Sequence, residues 1–528
     1  MRLSPLLLCG FLTALPAQAA IFTVTSTADS GPGSLRQAIL DSNANGNSEL
    51  DTISFNIPGA GPHVIAPTTA LPGIRSSVTI DGYTQPGATP NTRTPAQGGL
   101  DTQLRIVVSG QNGLSGSVGL VFENQTASGT RTLRGLAIAG FETQVRWDAN
   151  LPGDLIIEGN FIGTDAGGVA PPAAGLAGRS GIFVFGSLGN MRIGGPTPAQ
   201  RNLIAGPGGT TGNSGVGIDV SQLLGGSVTI QGNLIGTDPS GTSARAHAIG
   251  VRVTGVSPTL SPPPPPPGTA VQIGGTDVNA RNLISGNLVN GIALGNFGSF
   301  LVDRVVVEGN WIGTDASGLL PLPNGTSVTS QSPAGIVRLQ NFPGSSRARI
   351  GGSAPGAANR IAFNIGPGIL LSCNGNSGDG GTVEMGDNQI FGNSGIPVDN
   401  TDRPRANDPG DPDVGTNRVQ NFPELFAATR PAPGVIDVGF RVDTAVANAT
   451  YPLRVDFYSA DPAGGPLVRI GTASIAAADA QTNRTVSLNS SVGVGFITAI
   501  ATDANGNSSE YSDVLDVNRI FDDGFESP

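Results

Sequence analysis

The chain consists of short apolar runs that end near glycine or asparagine and are followed by polar turns. Typical runs are Val228–Ile230, Ile292–Leu294 and Val305–Val307. Their length and two-residue alternation are those of β-strands, whereas a helix would show a period of 3.6 residues. Glycine makes up 79 of the 528 residues, which suits a chain that turns sharply between strands, because glycine adopts positive φ freely. The pattern therefore predicts an all-β protein.

One eight-residue segment returns at a nearly constant interval. It occupies 158–165, 231–238 and 308–315, and a degraded copy follows at 386–390. Its asparagines are Asn160, Asn233, Asn310 and Asn388, which are 73, 77 and 78 residues apart. A second motif, Ile-Gly-Gly, keeps the same phase and precedes three further asparagines, Asn202, Asn282 and Asn359. Repetition at a fixed period indicates stacked structural repeats.

These repeats predict a right-handed parallel β-helix over residues 60–400. A unit of about 77 residues would divide into three coils of roughly 25 residues, which gives about 13 coils in total. The seven repeated asparagines are expected to stack as a structural ladder in which their side chains hydrogen-bond to one another. The run Pro262–Pro267 cannot lie inside a strand ladder, so we expect residues 257–269 to form a loop.

Different patterns flank the predicted β-helix. Residues 20–59 are expected to form an N-terminal cap of two strands and a short helix with Ser34 as its N-cap. Residues 401–423 form an acidic joint, and residues 518–528 form a C-terminal tail. Residues 424–517 predict a β-sandwich. Its seven alternating runs are Leu425–Thr429, Val435–Val442, Leu453–Tyr458, Leu467–Ala473, Arg484–Leu488, Phe496–Ala501 and Ser512–Val517.

The N-terminus indicates an exported protein, and the charge of the chain argues against nucleic acid as a partner. Residues 1–19 combine Arg2, an apolar run and Ala-Gln-Ala, which is the pattern of a signal peptide. We therefore expect a secreted or cell-surface protein, and the later apolar runs are too short for a membrane span. The net charge is −11 and lysine is absent. Because the arginines do not cluster, we do not expect nucleic-acid binding.

Three segments resemble known families. Residues 33–38, Gly-Ser-Leu-Arg-Gln-Ala, resemble the Cys-Ser-Leu-Arg-Glu-Ala segment of exported bacterial proteins, with Gly and Gln in place of the Cys and Glu. The Gly-Asn-x-Ile-Gly-Thr-Asp and Ile-Gly-Gly repeats resemble those of the right-handed parallel β-helices found in this group. Residues 455–458 and 501–510 resemble bacterial immunoglobulin-like modules. The resemblance implies a parallel β-helix followed by an immunoglobulin-like β-sandwich. The parallel β-helix is also the fold of many pectate-lyase-like enzymes.

Two functions follow from this fold. One is a non-enzymatic structural, adhesive or glycan-binding role, and the other is a polysaccharide lyase or glycoside hydrolase acting on acidic polysaccharide. A lyase of this fold needs a strong base beside carboxylates that hold calcium, but no sequence-local acid cluster accompanies the arginines. His63 and His247 are the only histidines, and His247 is expected in a surface turn. These observations favour the non-enzymatic role.

Acids that recur with the repeat also favour a structural explanation. Asp165, Asp238 and Asp315 each follow a threonine and precede a glycine. An aspartate in such a place caps the backbone of a turn, whereas an active site is needed only once. A ladder of carboxylates that binds calcium or a glycan is the alternative.

A few non-repeated residues are candidates for binding. Asp408, Asp411 and Asp413 alternate with turn residues in the joint, and such oxygen ligands suit calcium; a solvated acidic hinge is the alternative. Trp147 lies outside every repeat and is the ring that we expect to contact an extracellular polysaccharide or cell-surface glycan. Trp311 takes the place of Phe161 in an earlier copy and is expected in the core.

Overall fold

The computed structural model describes residues 18–46, 48–110, 117–123, 129–148, 153–168, 180–186, 189–206, 215–223, 225–256, 270–295, 303–326, 333–340, 347–373, 381–400, 406–461, 465–489 and 493–518. Most of the predicted signal peptide, the proline-rich loop at 257–269, the start of the joint at 401–405 and the tail at 519–528 lie outside these ranges.

Three long parallel sheets form a β-helix within the described residues. Sheet 1 has eleven strands: Ile21–Val24, Asp51–Phe55, Val78–Asp81, Thr130–Arg134, Asp154–Glu158, Met191–Gly194, Val228–Gln231, Val271–Gly274, Val305–Glu308, Arg347–Ile350 and Thr382–Met385. Sheet 2 has ten: His63–Ile65, Ile106–Ser109, Leu136–Ala139, Phe161–Ile162, Leu203–Ile204, Leu234–Ile235, Leu283–Ile284, Trp311–Ile312, Asn359–Ala362 and Asn388–Phe391. Sheet 3 has nine: Val118–Glu123, Thr143–Asp148, Ser180–Phe185, Val216–Leu223, Ile249–Val256, Asn290–Gly295, Ala334–Gln340, Ile369–Cys373 and Val398–Asn400. The predicted parallel β-helix is confirmed.

Helical segments are few and short. The described residues contain one α-helix, Leu35–Asn45. The 3₁₀ turns are Gly82–Thr84, Pro95–Gln97, Pro198–Gln200, Val278–Ala280, Thr416–Val419 and Ala477–Asp479. None of the described helices is long and apolar enough to cross a membrane.

Side-chain alternation fills the interior of the β-helix. In sheet 1, Ile157, Ile193 and Ile230 pair directly across neighbouring strands and are fully buried. The residues between them, such as Arg192 and Thr229, face outward and remain partly exposed. Because successive residues of a strand point to opposite faces, the in-phase repeats build continuous apolar rows along the axis.

Each sequence unit contains two coils rather than the predicted three. Asn160, Asn202 and Asn233 lie on successive coils, so one 73-residue unit from Asn160 to Asn233 spans two of them. The prediction counted strand-sized runs but not the long excursions between strands, such as the 17 residues between Ile162 and Ser180. Sheet 2, which contributes one strand to a coil, accordingly has ten strands among the described residues, whereas about thirteen coils were expected.

The seven repeated asparagines form one unbroken buried ladder at the turn from sheet 1 to sheet 2. Each amide nitrogen donates to the amide oxygen of the next member, at 2.9–3.3 Å, in the order Asn160, Asn202, Asn233, Asn282, Asn310, Asn359 and Asn388. All seven are at most 2% exposed. The glycine before the asparagine adopts φ of 65° at Gly159, 71° at Gly232 and 69° at Gly309, which explains why those copies carry glycine.

A second ladder follows sheet 2 and was not predicted. Asn287, Asn324, Asn364 and Asn393 pass a hydrogen bond from each amide to the next, at 2.9 Å each. Their spacings in the sequence are 37, 40 and 29 residues. Because these intervals are irregular, sequence periodicity alone does not reveal this ladder.

The N-terminal segment is continuous with sheet 1. Strands Ile21–Val24 and Asp51–Phe55 pair in parallel with each other, and Asp51–Phe55 also pairs in parallel with Val78–Asp81. Helix Leu35–Asn45 begins as predicted, because the hydroxyl of Ser34 accepts the backbone N–H of Gln37 at 3.2 Å. Its buried Leu35, Ala38 and Ile39 join the core of the β-helix.

Two antiparallel sheets follow the β-helix and pack as a sandwich. Sheet 4 has strands Glu424–Ala432, Val435–Arg441 and Arg484–Asn489, and sheet 5 has Val468–Ile475, Leu453–Ala460, Phe496–Thr502 and Leu515–Asp516. Every predicted run of residues 424–517 overlaps one of these strands. Phe440 of sheet 4 meets Phe457 of sheet 5 edge to face, with ring centroids 5.1 Å apart, inside their shared core.

The last strand of sheet 1 is covered by the joint and the sandwich. Asn417 donates from its amide to the carbonyls of Val383 and Ser508, at 2.9 and 2.7 Å. The hydroxyl of Ser508 accepts the backbone N–H of Met385 at 3.0 Å. These contacts satisfy backbone groups that an open sheet edge would leave unpaired, so the sandwich closes this end of the β-helix.

Candidate functional site

Trp147 lies in the core, which corrects the expectation of an exposed ring. It shares an inward row of sheet 3 with Phe122 and Val184 and is 0% exposed. The guanidinium of Arg131, also 0% exposed, lies over its ring at 5.7 Å. The ring is therefore not available at the surface to stack on a sugar. A residue outside the sequence repeats can still lie in the core, because the register of its strand decides which face of the sheet its side chain occupies.

The three joint aspartates do not converge on a common point. Within the described residues no group of three acids or other ligand side chains is arranged to hold a metal ion. Asp411 is 3% exposed, and one carboxylate oxygen accepts hydrogen bonds from Gln420 at 2.7 Å and Thr444 at 2.8 Å. Burial raises the pKa of Asp411 to about 6, against the lowering effect of these donors. Asp411 therefore links the joint to the sandwich, and a calcium set with Asp408 and Asp413 is not assembled.

The repeated aspartates cap turns. Asp165 accepts the backbone N–H of Gly167 at 2.9 Å, Asp238 that of Thr242 at 3.1 Å, and Asp315 those of Ser317 and Leu320 at 3.1 and 3.2 Å. This is the hydrogen bonding expected of an Asx-turn. Their recurrence is thereby explained by the scaffold.

His247 is buried, although its sequence context suggested a surface turn. It is 5% exposed, and burial lowers its pKa to about 4. The imidazole is thus neutral at pH 7, and neither of its buried nitrogens has a hydrogen-bond partner among the residues that the structure describes. It packs as a core residue and does not face a reacting group.

Two phenylalanines stand side by side on the outer face of sheet 3. Phe183 and Phe185 belong to strand Ser180–Phe185, and the residue between them, Val184, points into the core. Both rings are half-buried. Their centroids are 6.1 Å apart and their planes differ by 23°. The two rings are therefore stacked with nearly parallel planes and form an apolar patch on a regular strand.

Arginine–aspartate pairs flank the two phenylalanines on both sides. On one side, Phe183 pairs with Arg146, whose guanidinium lies 2.5 Å from Asp148. On the other side, Phe183 pairs with Asp219, which accepts both Nη2 and Nε of Arg252, at 2.5 and 3.1 Å. The two phenylalanines and these two ion pairs are called the aromatic face below.

The aromatic face combines the two elements of carbohydrate recognition. Apolar rings pack against the C–H surface of a pyranose, and charged planar groups hydrogen-bond to neighbouring hydroxyls. The sequence did not point to it, because Ile182–Phe185 is apolar throughout and reads as a strand buried on both sides. Only the register with Arg146 and Asp219 shows which residues face outward.

A charged cleft lies where sheet 1 meets the sandwich. Its volume is about 470 Å³, and we call it the ionic cleft. Its charged residues are Glu308, Arg349, Glu384, Asp387, Arg454, Asp456 and Arg469. The guanidinium of Arg469 approaches two carboxylates, with Nε 3.1 Å from Asp387 and Nη1 3.7 Å from Asp456.

The two carboxylates of the ionic cleft have different environments. Burial raises the pKa of Asp387, although Arg469 opposes the shift. Asp456 is 3% exposed and accepts hydrogen bonds from Arg454 at 2.9 Å and Thr472 at 2.6 Å. Two carboxyl groups in different environments, bridged by one arginine, are an arrangement from which acid and base roles can be divided. Asp387 stands in the degraded fourth repeat, which is the sequence signal that could have identified it.

Comparisons with known proteins add no family. No protein-family model and no curated protein matches the chain. Among solved structures it is similar to tailspike protein 3 of bacteriophage CBA120, with 12% identity over 72% of this chain and 56% of that chain and a TM-score of 0.18. It is also similar to the enzymatically active domain of tailspike protein 4 of the same phage, with 8% identity over 91% and 66% of the two chains and a TM-score of 0.18. The chain thus spans little more than half of tailspike protein 3, and at these scores neither likeness supports an argument about fold or function.

Proposed function

We propose that this chain is an exported, non-enzymatic β-helix protein that binds polysaccharide outside the cell or at its surface. The signal-peptide pattern of residues 1–19 supports export. The resemblance of residues 33–38 to exported bacterial proteins, and of residues 455–458 to immunoglobulin-like modules, supports the same location.

The aromatic face is the observation that carries the proposal. Phe183 and Phe185 present an apolar patch on a strand whose backbone pairs with a neighbouring strand on each side. Arg146 and Arg252 hold their aspartates in fixed orientation beside it, so hydroxyl-binding groups are already arranged before a ligand arrives. Such preorganisation reduces the entropy lost on binding.

Binding should be measured by isothermal titration calorimetry against polygalacturonate, alginate, xylan and dextran. We expect saturable binding of at least one polymer and a loss of affinity of about tenfold or more in the double variant F183A/F185A, since tenfold corresponds to only about 1.4 kcal/mol. The matched control is F426A, because Phe426 is an exposed phenylalanine of sheet 4. Equal affinity in the double variant and the control would refute the assignment.

The ionic cleft favours a second function, glycoside hydrolysis. Asp387 would protonate the glycosidic oxygen as its bond to the anomeric carbon breaks, and the Asp456 carboxylate would take the proton of the attacking water. Release of reducing ends from the same four polymers, and absorbance at 235 nm for lyase products, measures turnover. We expect D387N to abolish turnover and D437N, on sheet 4, to retain it. No turnover by the wild type would exclude this second function.

A further inference from the structure

A tryptophan and two arginines end an apolar row on the outer face of sheet 2. The row passes through the paired residues Phe161, Leu203, Leu234, Leu283, Trp311 and Arg360. The first four are buried beneath covering segments in a cluster separate from the main core. Trp311 is half-buried, so the expectation that it lies in the core is corrected. The apolar row therefore ends at a partly exposed tryptophan and the charged side chain of Arg360.

Two guanidinium groups lie against the ring of Trp311. The guanidinium carbon of Arg281 is 4.1 Å from the ring centroid and that of Arg360 is 5.3 Å away. Burial, and to a smaller extent the charge of Arg360, lower the pKa of Arg281 to about 10. Both arginines remain charged at pH 7, so two like charges are held together on one ring.

The same position one repeat earlier shows what Arg281 lacks. Arg201 precedes Asn202 as Arg281 precedes Asn282. Arg201 donates to the carbonyls of Gly232, Arg93 and Gly99, at 3.0, 3.1 and 3.1 Å. Arg281 has no hydrogen-bond or ion-pair partner among the described residues, and its Nε is buried. Arg281 therefore occupies the position that Arg201 has in the earlier repeat but lacks the carbonyl acceptors that Arg201 has.

Arg360, the second arginine at this ring, hydrogen-bonds to neutral groups only. Its Nε donates to the amide oxygen of Gln389 at 3.1 Å, and its Nη1 donates to the carbonyl of Gly318 at 2.9 Å. Both acceptors are neutral. Most ion-paired arginines of the β-helix hold one carboxylate each, as Arg192 holds Glu158 at 2.8 Å. The pair at Trp311 thus carries two positive charges in a chain whose net charge is −11.

We propose that Arg281 and Arg360 bind an oxyanion, and that this oxyanion is the carboxylate or sulfate group of an acidic polysaccharide. A guanidinium fork matches the two oxygens of such a group, and an anion there relieves the repulsion between the two arginines. The anion site stands on the geometry at Trp311 alone. The assignment of an acidic sugar rests on the proposed function, because we assume that the anionic group belongs to the same polysaccharide that binds at the aromatic face.

Tryptophan fluorescence reports directly on this site. The chain has two tryptophans, and Trp147 is fully buried, so a change on adding ligand reports on Trp311. The full chain is titrated with sodium sulfate, with a galacturonate oligosaccharide, with a sulfated oligosaccharide and with a neutral dextran oligosaccharide. We expect saturable changes with the three anions, tighter binding of the acidic oligosaccharides than of sulfate, and a rise in Tm through ligand linkage.

Three variants separate the possible outcomes. R281Q and R360Q should each weaken anion binding by about tenfold or more, as expected for loss of a charge-assisted pair. R192Q is the matched control and should bind as the wild type does. W311F should lose the fluorescence change, while sulfate still raises Tm. Circular dichroism verifies that each variant is folded.

Failure of this proposal differs from failure of the proposed function. F183A/F185A should weaken binding of the oligosaccharide but leave free sulfate binding unchanged, whereas R281Q should weaken both. The absence of any saturable change with sulfate, or equal binding by R281Q and R192Q, would overturn the anion site. Sulfate binding without preference for acidic over neutral oligosaccharide would overturn the ligand class.

Discussion

Removing one member of the asparagine ladder should destabilise the β-helix strongly. Asn282 is 0% exposed and lies in the middle of the ladder. Its oxygen accepts both the backbone N–H and the side-chain amide of Asn233, at 3.0 Å each, and its amide donates to the carbonyl of Ile230 at 2.8 Å and to the side-chain oxygen of Asn310 at 2.9 Å. In N282A the Asn233 amide would keep the carbonyls of Ile193 and Gln231 as acceptors, whereas the other three groups would lose this partner. N282A therefore deprives one donor and two acceptors of their partners inside a dry turn.

The magnitude follows from those three groups. A buried polar group that loses its partner costs about 1–3 kcal/mol. Three such groups, partly relieved by local adjustment, give an expected loss of about 3–6 kcal/mol, which is large against a typical total stability of about 5–15 kcal/mol. N282D should be at least as damaging at pH 7, because a carboxylate cannot donate to either acceptor and brings a buried charge.

Urea denaturation followed by circular dichroism measures the loss, and amide hydrogen exchange localises it. Repeat proteins can unfold in parts, so exchange should show opening of the coils next to Asn282 first. N190A is the matched control, because Asn190 is exposed and its side-chain oxygen accepts one hydrogen bond, from the hydroxyl of Ser227. If N282A differs from N190A by less than about 0.5 kcal/mol, the range of ordinary surface substitutions, the ladder does not stabilise the fold.

Three further substitutions test other parts of the structure. Burial raises the pKa of Asp411 to about 6, so protonation favours the folded state, and the stability linked to this proton is present below about pH 4 and lost as pH rises through 6. The advantage of D411N over wild type in urea should therefore shrink by about 2.5 kcal/mol from pH 7 to pH 4, because a shift of about two pKa units at about 1.4 kcal/mol per unit is not fully expressed at pH 4. A constant difference would contradict this. G309A should lower the Tm far more than G46A, since both glycines have positive φ but a Cβ at Gly309 would lie 2.1 Å from a neighbouring carbonyl oxygen, whereas Gly46 has open space. W147F should lower stability by about 1–3 kcal/mol through lost core packing without changing affinity for any polymer in calorimetry; reduced affinity in a folded variant would restore Trp147 as a ligand contact.

The sequence repeats predicted the fold because each copy makes the same contacts with the coils next to it. Asn160, Asn233 and Asn310 recur in phase, and each has the same buried partners one coil above and below. The coil count was wrong because loop length is not periodic: the coil from Asn160 to Asn202 takes 42 residues and the next, to Asn233, takes 31. A solenoid constrains the strands of its coils but tolerates insertions between them.

The candidate sites were harder to predict because a strand pattern does not show which face is outside. Trp147 and Phe183 lie on adjacent strands of sheet 3, Trp147 in a strand that alternates apolar and polar residues and Phe183 in a continuous apolar run. One residue of register separates an inward ring from an outward ring. The alternation of Trp147 with Arg146 and Asp148 favours an inward ring. The apolar run around Phe183 gives no such indication, and its pairing with Arg146 and Asp219 shows the outward face.

Departures from the repeat indicate chemistry better than the repeated residues do. The repeated Asn282 and Asp315 have complete hydrogen bonding, so the scaffold accounts for them. Asp387 stands where Gly309 stands in an intact copy, and it faces Arg469 of the sandwich. Arg281 keeps the position of Arg201 but not its carbonyl partners. A residue that a stacked scaffold does not require, and whose charge that scaffold does not satisfy, needs another partner, and for Arg281 an anion supplies it.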